Sequence, residues 1–134
     1  MKNLYKKVGD MEFDGLVTDV KPPVIVRGGT VRKLAAAATF KRGTILAKSS
    51  GTAGDGKLVV LGTAAASNET LAPDCILCDD VEVGTAADEV ATVYVAGCFD
   101  LNKCIVADGY TITADDQDKL RERGILFKAA AAAI

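Results

Sequence analysis

Val90-Ala91-Thr92-Val93-Tyr94-Val95-Ala96 is a run of β-branched and aromatic residues uninterrupted by Pro or Gly, the clearest strand in a chain of 134 residues. Working outward from it, Cys75 to Cys78 reads as a short strand preceded by Pro73. Further upstream, Thr44 to Ala47 and Lys57 to Leu61 flank Ser49-Ser50-Gly51-Thr52-Ala53-Gly54-Asp55-Gly56, a stretch of turn-forming residues with the marks of a hairpin tip. Downstream, one helix is signalled at both ends. Thr113 caps it, Asp116 completes a capping-box-like T-x-x-D, Asp115 suits the positive end of the dipole, and Arg121 and Arg123 precede a stop at Gly124. Ile125-Leu126-Phe127-Lys128 follows at once as a strand. These signals predict a mainly β fold (β-rich α+β): a small barrel-like or sandwich-like domain with one short C-terminal helix.

Residues 1–30 read instead as an extended N-terminal arm, because Lys and Asp are scattered through them and Pro22-Pro23 blocks helix and ladder alike. The division expected is an arm over 1–30, a β-rich domain over 31–128 and an Ala-rich C-terminal tail over 129–134. The arm is not featureless: Phe13, Leu16, Val17, Val20 and Val24-Ile25-Val26 are apolar residues that a solvated tail does not need. Gly28-Gly29 reads either as a two-residue hairpin turn or as the flexible end of the arm.

Charge is unevenly spread. Met1 to Lys48 carries ten Lys or Arg against four Asp or Glu, whereas the remainder carries six against fourteen. The basic residues are interleaved with Asp10, Glu12, Asp14 and Asp19 and come with no nucleic-acid-binding motif, so direct binding of nucleic acid is not expected. A basic front docking on an acidic protein surface fits equally well. No run approaches the ~18 apolar residues that a membrane helix needs. The N-terminus leads into no apolar signal-peptide core, so the expected site of synthesis is a cytoplasm, with the four cysteines reduced.

The motifs that suggest chemistry lack its context. Gly51 to Lys57 spells G-x-x-x-x-G-K, but Leu58 stands where a phosphate-binding loop needs Ser or Thr, and a strand follows instead of a helix. Cys75-x-x-Cys78 has the spacing of a redox pair or half a zinc site. Within a strand, however, its two thiols point to opposite faces, and Asp79-Asp80 would raise a thiol pKa. Cys98 and Cys104 are spaced too widely for a second knuckle. The chain has no His, which removes Ser-His and Cys-His nucleophile arrangements. Asp79, Asp80, Glu82, Asp88 and Glu89 cluster in sequence without the regular spacing of a calcium loop. No catalytic, metal or cofactor-binding residues are therefore expected.

The ensemble of short segments resembles the head decoration proteins of lambda-like and other tailed phages. Lys41-Arg42-Gly43-Thr44-Ile45-Leu46 is similar to the opening "lKRGTvL" of that family. Ile76-Leu77-Cys78-Asp79-Asp80-Val81 is similar to its "gILaeDVd", Val93-Tyr94-Val95-Ala96-Gly97-Cys98-Phe99-Asp100 to "vyv.GeFn", and Leu120-Arg121-Glu122-Arg123-Gly124-Ile125-Leu126-Phe127 to "LrarGIfl". Val8-Gly9-Asp10 through Phe13-Asp14-Gly15-Leu16 also resembles the lead of relatives from phages of Gram-positive hosts. Departures are Cys78 in place of a small Ala, Cys98 in place of Glu or Ser, and the tail over 129–134.

The resemblance implies a non-enzymatic virion protein, made in the bacterial host cytoplasm and docked as a homotrimer on the outer surface of an expanded capsid. It binds there to the major capsid protein and stiffens the shell against packaged DNA, with neither cofactor nor membrane involved. Its arm orders by adding strands to capsid segments, which points to Phe13, Leu16, Val17, Val24, Ile25 and Val26 as the docking residues. The other reading is a free-standing β-rich binding module, for example one that holds glycans, although exposed aromatics to serve as sugar platforms are few.

Overall fold

The structure, a computed structural model, describes residues 15–19 and 22–128. Among these the elements run β1 (Val17–Asp19), β2 (Ile25–Val31), β3 (Ala38–Phe40), β4 (Ile45–Ser50), β5 (Leu58–Val60), β6 (Thr70–Leu77), β7 (Val81–Val83), β8 (Glu89–Phe99), α1 (Ala114–Arg123) and β9 (Ile125–Phe127).

The expected strand around Tyr94 is the hub. β8 pairs antiparallel with β2 along Ile25–Val31 and with β6 at Ile76 and Leu77. β6 pairs with β4 and β4 with β5, and β5 returns to β2 in parallel through Val31 and Leu58. Five strands thus close into a barrel-like sheet, and the protein is mostly β with a single C-terminal helix, as the sequence predicts. β8, at 11 residues, outruns the barrel. Beyond Ala96 it takes β1 on one edge and β9 on the other. The change of partners falls at Gly97, whose φ of +146° and a would-be Cβ only 2.9 Å from the Phe99 ring both exclude a side chain.

Over β4, β5, most of β6 and the second half of β8 both faces are largely buried, which is why these stretches read as apolar runs more than as alternation. Val31, Leu46, Leu58, Cys75, Leu77, Ala91 and Val93, drawn from all five barrel strands, form the inner cluster. The residues next to them along the chain, including Ile45, Ala47, Val59, Ile76 and Tyr94, face outward into a second cluster with Leu16, Phe99, Leu120 and Ile125. α1 and β9 cover that second face. The antiparallel ribbon of β3 and β7 supplies Val83 to the inner cluster, with Phe40 and Val81 packed against it. It sits at the end where β2 runs out, held by the Leu34 amide donating to the Gly84 carbonyl at 2.9 Å.

Local signals place α1 as expected. Thr113 accepts from the Asp116 amide at 3.0 Å, Asp116 accepts in return from the Thr113 amide at 3.1 Å, and Gly124 closes the helix in the left-handed conformation. Tyr110 donates to Asp116 as well, tying the preceding loop to the helix.

Two expectations are corrected. Gly28-Gly29 is no turn but the middle of β2, paired with Thr92 and Ala91. A Cβ on Gly29 would stand 2.7 Å from Leu58 Cδ1, so the glycine lets the barrel close between β2 and β5. Pro73, expected before a strand, lies inside β6 where the register with β4 shifts, the position at which a strand tolerates a missing amide hydrogen.

The hairpin tip between β4 and β5 is anchored by charge. Arg32, just past β2, donates to Asp55 at 2.9 and 3.0 Å and to Glu69, whose other hydrogen bonds come from Ser49 Oγ and the Ala66 amide. Glu69 is held down to about 2 by the Ser49, Ala66 and Arg32 donors, and Asp55 to about 2 chiefly by Arg32. Both carboxylates lie below their unfolded values, so they stabilise the fold above the ordinary carboxylate range and lose that contribution as the pH falls toward 2. Chemical denaturation measured from pH 6 down to pH 2 is expected to show stability dropping below about pH 4.5. Glu69→Gln should remove about one proton's worth of that slope; an unchanged slope would contradict the assignment.

Candidate docking surface

The surface around β2 differs from the rest of the sheet. Val24, Ile25 and Val26 are 39%, 52% and 52% exposed, and Val90 of β8 is 74% exposed. The register pairs Val26 with Tyr94, Gly28 with Thr92 and Thr30 with Val90, which sets Val26, Gly28, Thr30, Thr92 and Val90 on one face of a two-stranded ribbon. That face carries no charge, and every residue in it except Tyr94 is exposed. On its far edge, β2 has a strand partner only at Val31 among the described residues. From Ile25 to Thr30 the backbone donors and acceptors on that side lie open, next to exposed β-branched side chains, the features of an edge that accepts an added strand.

The six residues expected to dock separate here. Phe13 lies outside the described residues. Leu16 is 2% exposed and sits in the outer core cluster, with its carbonyl accepting from the Asp100 amide at 2.8 Å. Val17 is half-buried in β1 opposite Phe99. These two face their own domain, and Leu16 reaches a partner only by leaving the core. Val24, Ile25 and Val26 are exposed, but β2 is a wall of the barrel rather than part of a free arm. The division at residue 30 therefore differs from the structure over residues 16–19 and 25–30, which pack in the domain. Sequence reading missed Val90, Thr92 and Arg27, because only the β2–β8 register brings them to the same place.

No protein-family model and no curated protein matches this chain.

Other sequence features occupy structural positions. The loop that imitates a phosphate-binding motif is the hairpin tip: the Gly54 amide donates to the Gly51 carbonyl, Gly56 to Ser49 and Ala53 to Asn68, so those donors are already used. Cys75 lies in the inner cluster and Cys78 packs against the outer one, on opposite faces. Burial, with Asp74 beside it, pushes the Cys75 thiol well above its ordinary pKa; burial and then Asp100 push Cys104 up to about 12, which disfavours the reactive thiolate. Cys98 accepts a hydrogen bond from Thr18 Oγ1 at 3.4 Å. The acidic residues disperse: Asp80 accepts from the Arg42 amide at 2.7 Å, while Asp88 pairs with Lys57 at 2.6 Å and accepts from the Lys33 amide. Among the described residues no group of His, Cys, Asp and Glu is arranged to hold a metal, and no helix is long and apolar enough to cross a membrane.

Proposed function

We propose that the protein is a non-enzymatic capsid decoration protein of a tailed phage, which docks as trimers at three-fold and quasi-three-fold positions of the expanded head and stabilises it against internal DNA pressure. The observation that carries this reading is the open edge of β2, with exposed Val24, Ile25 and Val26 at its start, a template for strand addition. The ordered resemblance of four segments to the decoration family supports it. Those segments correspond to the turn into β4, the β6–β7 connection, β8, and the α1–β9 junction.

Strand addition supplies main-chain hydrogen bonds, and a trimer multiplies them. Once one subunit has docked, the other two bind at a high effective concentration, so a weak contact per subunit becomes a stable staple, with a gain on the order of 10²- to 10⁴-fold. The major capsid protein is the partner, and the outer capsid surface is the location.

Co-sedimentation of the purified protein with expanded, undecorated heads and with unexpanded proheads tests this. Saturable binding to expanded heads alone, at one trimer per three-fold site, is the expected result. Val26→Glu, which sets a charge at a half-exposed position of the apolar edge, should weaken binding about tenfold or more while leaving the thermal midpoint within a few degrees. Absence of binding of the wild-type chain to either form would overturn the proposal in favour of a free-standing binding module.

A further inference from the structure

The barrel is covered by the β3–β7 ribbon at one end and opens at the other into a cavity of about 360 Å³ lined by Ile25, Arg27, Asp74, Val95, Ala96 and Arg123. We infer that this mouth is a carboxylate site, which selects an acidic residue in the extended capsid segment that adds to the edge of β2.

Four observations converge on it. Arg27 belongs to β2 itself, opposite Val93, and its side chain lines the cavity beside the open edge. Among the described residues Arg27 makes no ion pair, although exposed cations elsewhere in the fold, such as Lys41, Lys119 and Arg121, do. Arg123, from the last turn of α1, is paired with Asp74 at 2.8 Å, so of the two guanidiniums and one carboxylate at the mouth it is the charge of Arg27 that is left in excess. The remaining walls, Ile25, Val95 and Ala96, are apolar and offer no hydrogen-bonding side chain to compete with the ligand for Arg27.

A guanidinium presents a planar fork that matches a carboxylate in two parallel hydrogen bonds, and this geometry fixes direction as well as charge. A strand lying along β2 from Ile25 to Thr30 places alternate side chains on one face of the sheet. One of those, next to Arg27, turns toward the mouth, while its neighbours pack on the face formed by Val26 and Val90. The segment this surface fits is therefore extended and β-branched with a single Asp or Glu, and charge complementarity sets its register. Carboxylate recognition gives the edge a specificity that apolar strand addition lacks, since an apolar edge accepts any strand of similar propensity.

The inference rests on the decoration reading for the identity of the partner but not for the existence of the site, so two experiments separate them. In the first, the full chain is titrated by NMR with two synthetic seven-residue peptides of alternating Val and Thr, one with a central Asp and one with a central Lys. The expected result is saturating shifts of the β2 amides and of the Arg27 side chain with the Asp peptide, at an affinity at least about tenfold above that of the Lys peptide. Arg27→Gln should abolish the preference without changing the fold. Equal shifts with both peptides, or none with either, would overturn the site. In the second, Arg27→Gln is compared with wild type for co-sedimentation with expanded heads. Weaker binding, with a shallower salt dependence, supports the site as part of docking; equal binding by the two proteins sinks the inference and leaves the decoration function standing. If the Asp peptide is selected but wild type ignores heads, the site stands and the decoration function falls.

Discussion

A chain lacking residues 1–27 is expected to lose much of its stability, not merely its ability to dock. If those residues formed only an arm, the truncated domain would melt like the full chain. In the structure the segment contributes Leu16 to the outer core, the β1 ladder along Val17–Asp19, and the first three residues of β2. Removing a buried leucine alone costs about 2–5 kcal/mol. The cut also takes away the carbonyl that the Asp100 amide donates to, and the Asp19 carboxylate that pairs with Lys128 at 3.1 Å across β8. It exposes Phe99 and Gly97 and removes the partners on one edge of β8 from Val93 to Phe99, leaving only β6 and β9 on the other. The truncated protein should unfold at least about 10–15 °C lower than the full chain, or show no cooperative transition at all. Deleting only residues 1–14 keeps every contact named above and is the control against which the longer deletion is compared. Comparable midpoints for the 1–27 deletion and the full chain would show that residues 16–19 and 25–27 do not belong to the folded unit.

Phe99→Ala is the point substitution with the largest expected effect. Phe99 is fully buried at the far end of β8, where β1 and β9 both pair with it. Its ring lies 5.1 Å from that of Tyr94, tilted by 50°, a favourable arrangement for two aromatic quadrupoles. Truncation removes the largest side chain among the fully buried residues of a core built from Val, Ala, Leu and Ile, and the small neighbours cannot collapse into the space. The cost should be about 3–5 kcal/mol, seen as a thermal midpoint lower by roughly 10–20 °C. Phe99→Leu keeps most of the volume and should recover more than half of that loss. A drop of only a few degrees for Phe99→Ala would mean that the extension of β8 is not part of the cooperative core.

Arg42 shows how a short motif takes its meaning from the fold. In Lys41-Arg42-Gly43-Thr44 the guanidinium donates to the Cys78 carbonyl at 2.9 Å and to Tyr94 Oη at 2.6 Å, and lies 5.4 Å from the centre of the Tyr94 ring. The motif thus joins the entry to β4 with the end of β6 and the middle of β8. Its role is architectural and is carried by residues far apart in the chain.

What was legible in the sequence was whatever depends on near neighbours. The capping box at Thr113 and Asp116, the left-handed stop at Gly124, the turn residues between Ser49 and Gly56, and the β-branched run at Val90–Ala96 are short-range preferences of backbone and side chain. They made the mainly β class, the single helix and the hairpin readable without any tertiary contact. Barrel closure was not legible, because it depends on which strands meet: Gly28-Gly29 has the local chemistry of a turn, yet it is held as strand by pairing with β8 and by the close approach of Leu58. The boundary of the arm failed for the same reason, since the polar, Pro-containing stretch before residue 30 looks solvated until Leu16 and β2 are seen to find partners roughly 60–85 residues later in the chain. The candidate site is divided in the same way. The apolar character of Val24-Ile25-Val26 belongs to the sequence, whereas Val90 on the same sheet face as Val26, the open edge, and the meeting of Arg27 and Arg123 around one cavity come from long-range register and packing, which no local pattern encodes.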